Sequence, residues 1–172
     1  MFNIITSSLP SEYLGVKVRI DFKQALKFFM ILEDDELQEQ EKAILIGKCL
    51  FENEIPNDSN LWKFIQYYMS GGEEEESAGG GKSYFSFTQD AGKIYSAFRQ
   101  IYNIDLRKSE MHWWEFLELF KCLPKGTFLS EVIDIRAREI THDMDSKTKA
   151  QLMKLKNVYG LKTKETLNLN WL

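Results

Sequence analysis

The chain is predicted to be mainly α, with about six to seven amphipathic helices in a compact bundle or two helical lobes and a short N-terminal β-hairpin. Three observations predict it. Apolar residues recur at i, i+3 and i+4 through most of the 172 residues, the spacing of one helix face. Strict alternation of apolar and charged residues is confined to the first twenty. A glycine- and glutamate-rich stretch over residues 71–83 interrupts the periodic segments. With 44% hydrophobic and 13% aromatic residues, there is enough apolar surface for a packed core.

The elements follow in order. Val16, Val18 and Ile20 alternate with Lys17 and Arg19, which predicts a half-buried strand. Ile4 and Ile5 are expected to supply its partner, with Leu9-Pro10-Ser11 and Gly15 punctuating the connection. Asp21 offers an N-cap to a helix whose face would be Phe22, Leu26, Phe29 and Met30, ending near Asp34. Asp35 and Gln38 have the spacing of an acidic capping box before a second helix reaching about Phe51. Leu37, Ile44, Leu45 and Leu50 would be its apolar set. Pro56 breaks the pattern, and a third helix over residues 59–69 carries Leu61, Trp62, Ile65, Tyr68 and Met69.

Residues 71–83 contain Gly71-Gly72, four consecutive glutamates, three further glycines, Lys82 and Ser83. Such a composition has no apolar surface to offset the entropy of ordering it, so it reads as a solvated linker between lobe 1–70 and lobe 84–160. In the second lobe Ala91, Ile94, Tyr95, Phe98, Ile101 and Tyr102 keep the helical rhythm until Asn103-Ile104-Asp105. Ser109 is a plausible N-cap for a helix with Trp113, Phe116, Leu117, Phe120 and Leu123, closed by Pro124 and Gly126. Thr127 caps a helix to about Ile140, and Asp145 caps a last one in which Leu152, Leu155 and Tyr159 align before Gly160. Residues 161–172 form a basic tail.

Charge narrows the function classes. Twenty-two basic residues against 26 acidic ones give a net charge of −4, which provides no general attraction to a phosphate backbone. Only residues 145–172, with 6 basic and 2 acidic side chains, are locally positive. Cys49 and Cys122 lie within apolar helical stretches and read as buried free thiols. No amino-terminal leader pattern and no run of about 18 apolar residues is present, so a soluble intracellular protein is expected.

Chemistry-bearing patterns are few. Gly79-Gly80-Gly81-Lys82-Ser83 ends like a phosphate-binding loop, but Glu76 stands where the first glycine is required, and the neighbouring glutamates would repel a polyphosphate. His112 and His142 are the only histidines. His142, Asp143 and Asp145 could loosely hold a cation, but a solvated helix entry is the preferred reading of them. No nucleophile, metal set or cofactor-binding residue stands out, and no enzymatic activity or cofactor is expected. The adjacent Trp113 and Trp114 point about 100° apart on a helix, so one seam cannot bury them equally. They serve either a wide apolar stripe between helices or a partly exposed aromatic anchor for a protein partner.

Several runs then carry a resemblance: Phe87-Thr88-Gln89-Asp90-Ala91 through Phe98, Tyr102 to Leu106, His112-Trp113-Trp114-Glu115-Phe116, Leu123-Pro124, and Leu129 through Arg136. With Leu9-Pro10 and Asp21-Phe22 near the start, they resemble the bacteriophage gene-product-fifteen family. The resemblance implies a protein of the tail module of phages or prophages. The implied role is a tail assembly chaperone that binds the tape measure protein and tail tube protein in the host cytoplasm and is absent from the mature virion. From the residues themselves, the candidate protein-interaction side chains are His112, Trp113, Trp114, Phe116 and Trp171. A homo-oligomer is compatible with this, and a membrane partner is not implied. Two alternatives remain: a structural tail or connector subunit retained in the virion, and a nucleic-acid-binding regulator using the basic tail.

Overall fold

The computed structural model describes residues 3–73 and 83–162. These contain seven helices and one two-stranded antiparallel sheet. The chain divides into two compact units. Within the described residues, the first unit comprises 3–73 together with 108–121, and the second comprises 83–107 with 122–162. The helix bearing the tryptophan pair, expected with the carboxyl-terminal lobe, therefore belongs to the first unit. Trp171 and Gly79–Lys82 of the loop-like motif lie outside the described residues.

In the first unit, β1 (Glu12–Tyr13) pairs with β2 (Val16–Lys17), with Glu12 opposite Lys17 and Tyr13 opposite Val16. Leu14 and Gly15 between them have φ of 51° and 79°, the left-handed pair that a two-residue hairpin turn requires. The expected partner, Ile4-Ile5, is instead part of a turn in which the Thr6 and Ser7 amides donate to the Asn3 carbonyl. Ile5 is 89% exposed. The alternation through Ile20 reflects extended backbone that changes partners. After β2, Val18 bridges to Phe51 and Asp21 bridges to His112.

Helix α1 (Phe22–Leu32) starts as expected, with the Asp21 carboxylate accepting the Lys23 amide at 2.8 Å. It buries Phe22, Ala25, Phe28 and Leu32. Met30, expected on that face, is exposed. Helix α2 (Glu39–Leu50) begins at Gln38, whose amide donates to Glu41 at 2.9 Å, so the capping box lies three residues later than predicted. It buries Ile46, Gly47 and Leu50 and leaves Ile44 and Leu45 outside. The shift follows from Lys42, which is buried, with Nζ donating to the Leu32 carbonyl at 3.0 Å. A cation on the carbonyl end of α1 is favourable, and it orients α2 around that contact. Helix α3 (Leu61–Met69) buries Ile65, Tyr68 and Met69. α1 packs on α2 and on α5 (Trp113–Lys121).

The second unit holds α4 (Ala91–Tyr102), α6 (Phe128–Ala137) and α7 (Ser146–Tyr159). α6 packs on both α4 and α7. α4 buries Ile94, Ala97 and Phe98 and ends at Asn103, in the left-handed conformation with φ 54°. Thr127 caps α6 through the Ser130 amide, and Asp145 caps α7 through the amides of Lys147 and Thr148. α6 stops at Ala137, short of the expected Ile140. Leu152 is the buried residue of α7, while Leu155 and Tyr159 are half-buried. Both cysteines are free thiols, as read from the sequence, but Cys49 is only half-buried and Cys122 is exposed, because α5 ends one residue before it. Among the described residues no helix is long and apolar enough to cross a membrane.

Candidate functional site

The residues of the His-Trp-Trp-x-Phe run come together at the start of α5, inside the first unit. α5 begins at Trp113, not after Ser109, because His112 takes the capping role. The Trp114 amide donates to His112 Nδ1 at 3.0 Å, and the His112 amide donates to the Glu115 carboxylate at 2.8 Å. This is the reciprocal arrangement of a capping box, with an imidazole in place of the usual hydroxyl. Since Nδ1 accepts, Nε2 carries the hydrogen and donates to the Pro10 carbonyl at 2.9 Å. The ring is thus a neutral imidazole with both nitrogens used. Burial pushes its pKa below the ordinary 6.5, outweighing the Pro10 hydrogen bond and the Glu115 charge, which favour the cation.

Each tryptophan ties α5 to the carbonyl end of α3. Trp113 Nε1 donates to the Met69 carbonyl at 3.1 Å and Trp114 Nε1 donates to the Tyr68 carbonyl at 2.7 Å. The last carbonyls of a helix have no intrahelical donor, and the two indoles supply donors from a neighbouring element. Adjacent positions on α5 bury side by side because they serve different surroundings. Trp113 stacks on Phe116 and approaches Phe29, while Trp114 meets Tyr67, Tyr68 and His112. Phe116 stacks on Phe22 of α1, with ring centroids 4.9 Å apart and an interplanar angle of 4°. Gly72 closes the site: its φ is +85°, and a Cβ there would lie 2.7 Å from Trp114 Cη2.

Trp113 and Phe116 are 0% exposed, Trp114 is 1% and His112 is 5%. Of the two sequence readings, the apolar stripe describes these residues and the partly exposed anchor does not. The error lay in treating α5 as a helix with a single facing neighbour. Burial on two sides, with α1 at one and the end of α3 at the other, accommodates both indoles. The constellation is a clamp joining Pro10, α1, α3 and α5. Beneath it the Tyr68 hydroxyl is buried without a hydrogen-bond partner among the described residues, and burial together with the Asp21 charge raises its pKa.

The second unit has its own polar centre, which the sequence reading missed. Asp90, fully buried, receives both Arg136 Nη1 at 2.6 Å and Nη2 at 3.0 Å, with Lys93 Nζ at 2.9 Å and the Ser86 amide at 3.1 Å. Arg136 also donates to the Tyr159 carbonyl at 2.6 Å and the Tyr84 carbonyl at 3.0 Å. Lys156 of α7 caps the Arg136 carbonyl at 2.7 Å. The signal available was position: Arg136 falls at i+4 and i+7 from the buried Val132 and Leu129, on the inward face of α6. Burial alone would raise the Asp90 pKa, but the Arg136 and Lys93 hydrogen bonds, the Ser86 amide and the Arg136 charge bring it below the usual carboxylate range.

The cation reading at His142, Asp143 and Asp145 gains no support. Asp145 is occupied as the α7 cap, and no group of three or more His, Cys, Asp or Glu side chains among the described residues could hold a metal ion.

Comparison with known proteins covers both units. The sequence model of a family described as Bacteriophage Gp15 protein matches residues 5–161. The chain belongs to this family. No curated protein and no solved structure matches it. The Gp15 match takes in the Pro10, His112 and tryptophan clamp as well as Asp90 and Arg136, so both polar centres lie inside the family region.

Proposed function

We propose that this Gp15 family protein acts in phage or prophage tail morphogenesis as a non-enzymatic tail assembly chaperone. It binds the tape measure protein and tail tube subunits in the host cytoplasm and leaves before the virion is complete. Family membership carries the phage assignment. The chaperone role is supported by apolar side chains left outside on three helices: Ile44 and Leu45 on α2, Phe128 at the start of α6, and Met153 and Val158 on α7. Helical surfaces of this kind accept amphipathic helices of a partner, and a tape measure protein is a long helical client. The motif aromatics contribute by holding α1, α3 and α5 in place, not by touching the client.

Co-expression with the tape measure and tail tube proteins of the same phage, followed by pull-down, tests the reading. Capture of the tape measure protein is expected. Recovery of neither protein would refute the chaperone role, and abundant copies in purified virions by mass spectrometry would favour a retained tail subunit.

A further inference from the structure

Residues 3–73 and 108–121 make one unit, but the main chain joins them only by way of the other unit. It leaves through residues 74–82, returns between Arg107 and Lys108, and leaves again between Lys121 and Cys122. Segment 108–121 therefore meets 3–73 as a peptide meets a receptor, through non-covalent contacts. These start with the backbone. The Phe22 amide donates to the Met111 carbonyl at 3.1 Å and the Trp113 amide to the Ile20 carbonyl at 2.8 Å, an antiparallel bridge in which Asp21 faces His112. Near the start of the segment Lys23 Nζ donates to the Ser109 carbonyl at 2.8 Å, and at its end Lys121 pairs with Glu73. Between them lie the His112 bond to Pro10, the two indole bonds to the end of α3 and the Phe116 stack on Phe22.

We propose that residues 3–73 form a docking site that holds segment 108–121 without any peptide link to it, so that a second copy of the chain can supply the segment in place of the molecule's own. The contact has the makeup of a strong protein–protein interface, with buried tryptophans at its centre and each indole N–H paired. The carbonyls at the end of α3 need donors whichever molecule brings them. A segment from a second copy makes the same contacts as the molecule's own, so concentration alone separates the two cases. A short link holds the molecule's own segment at an effective concentration on the order of millimolar. Exchange between copies takes over when the link is cut or when chains are packed to that density, and it leaves the fold of the unit unchanged. This does not rest on the chaperone reading and uses none of the helix faces assigned to the client.

The full chain with a protease recognition sequence placed within residues 74–82 tests the proposal. After cleavage the two pieces should remain one particle of unchanged mass in native mass spectrometry at about 1 μM, with the tryptophan emission of the uncut chain. Cut protein mixed with an isotopically heavy cut preparation, taken through urea and back, should give particles of intermediate mass in statistical proportion, each pairing a light piece with a heavy one. Trp113→Ala/Trp114→Ala in the cleavable chain should let the pieces separate. The milder Trp114→Phe, which removes only the donor to the Tyr68 carbonyl, should weaken their association about tenfold, and circular dichroism before cutting checks that it keeps the wild-type helix content. Wild-type pieces that part at about 1 μM overturn the proposal, as does a cut mixture that yields no particles of intermediate mass. So does association as tight in both tryptophan variants as in the wild type, which would place the docking contact elsewhere.

Discussion

The ion pair between Asp90 and Arg136 gives the sharpest test of what holds the second unit together. Asp90→Asn keeps the size of the side chain and an oxygen for the Ser86 amide, but removes the negative charge facing Arg136. The Arg136 side chain is 8% exposed, so little water is available to replace the carboxylate, and the guanidinium is left buried without its counter-charge. Removing one partner of a buried pair costs about 3–5 kcal/mol. Arg136 keeps the Tyr159 and Tyr84 carbonyls as acceptors, which places the expected loss near the lower end, about 3 kcal/mol. Arg136→Met should cost a similar amount. The double variant should cost clearly less than the two together, since two partners removed at once leave no orphaned charge. Hydrogen exchange read by mass spectrometry suits a chain with two units, because it assigns the loss to segments. Amide protection in α4 and α6 should drop about a hundredfold in each single variant, at one decade per 1.4 kcal/mol, with α1 and α5 unaffected. A single-variant loss below about 1 kcal/mol, or strict additivity in the double variant, would show that the pair is not what joins α4 to α6.

Two further outcomes concern the first unit and the glycines. Because burial lowers the His112 pKa, the unfolded chain takes up a proton near pH 6.5 while the folded one does not. Its stabilising contribution is therefore complete above about pH 7 and is lost as pH falls from 6.5 toward the depressed folded value. Asp90, depressed from 3.8, keeps its contribution until pH falls below the ordinary carboxylate range. Urea titrations should thus show the first unit, followed by tryptophan fluorescence, weakening between pH 7 and 5, and His112→Gln should flatten that dependence. If the wild-type profile is flat there, the buried neutral imidazole is disproved. Gly72→Ala forces a side chain into left-handed backbone and against Trp114 and should cost about 2 kcal/mol. Gly92→Ala, on α4 with nothing within 4 Å of the new Cβ, should instead stabilise by about 0.5–1 kcal/mol. Thermal melts of the two variants shifting in the same direction would refute this reading of their surroundings.

How much of this was legible from the sequence depends on which side of a helix a rule addresses. Periodicity and caps located the helices, because Asp21, Thr127 and Asp145 act on amides two or three residues away. The same rules misassigned faces where a distant polar group set the orientation. Lys42 turned α2 so that Ile46 faces inward while Ile44 and Leu45 face out. At α5, hydroxyl capping statistics favoured Ser109, and the true cap is an imidazole that the chain also needs as a donor to Pro10. That second bond spans about a hundred residues of sequence, and nothing in local spacing encodes it.

The family motif and the surface therefore divide the work in a way the sequence did not suggest. His112, Trp113, Trp114 and Phe116 are rare enough as a set to read as a functional signature, yet the polar side-chain atoms of the first three are spent on capping α5 and on holding it to Pro10 and to the end of α3. A substitution there should disturb binding only by loosening the first unit, and its effect on partner capture should scale with its effect on stability. Substitutions at Ile44, Leu45, Met153 or Val158, which are exposed and cost little when changed, should behave in the opposite way, altering association while leaving stability near wild type. Plotting partner capture against stability for both sets separates scaffold from surface. If Trp114→Phe abolished capture without lowering stability, the clamp would have to be counted as part of the binding surface after all.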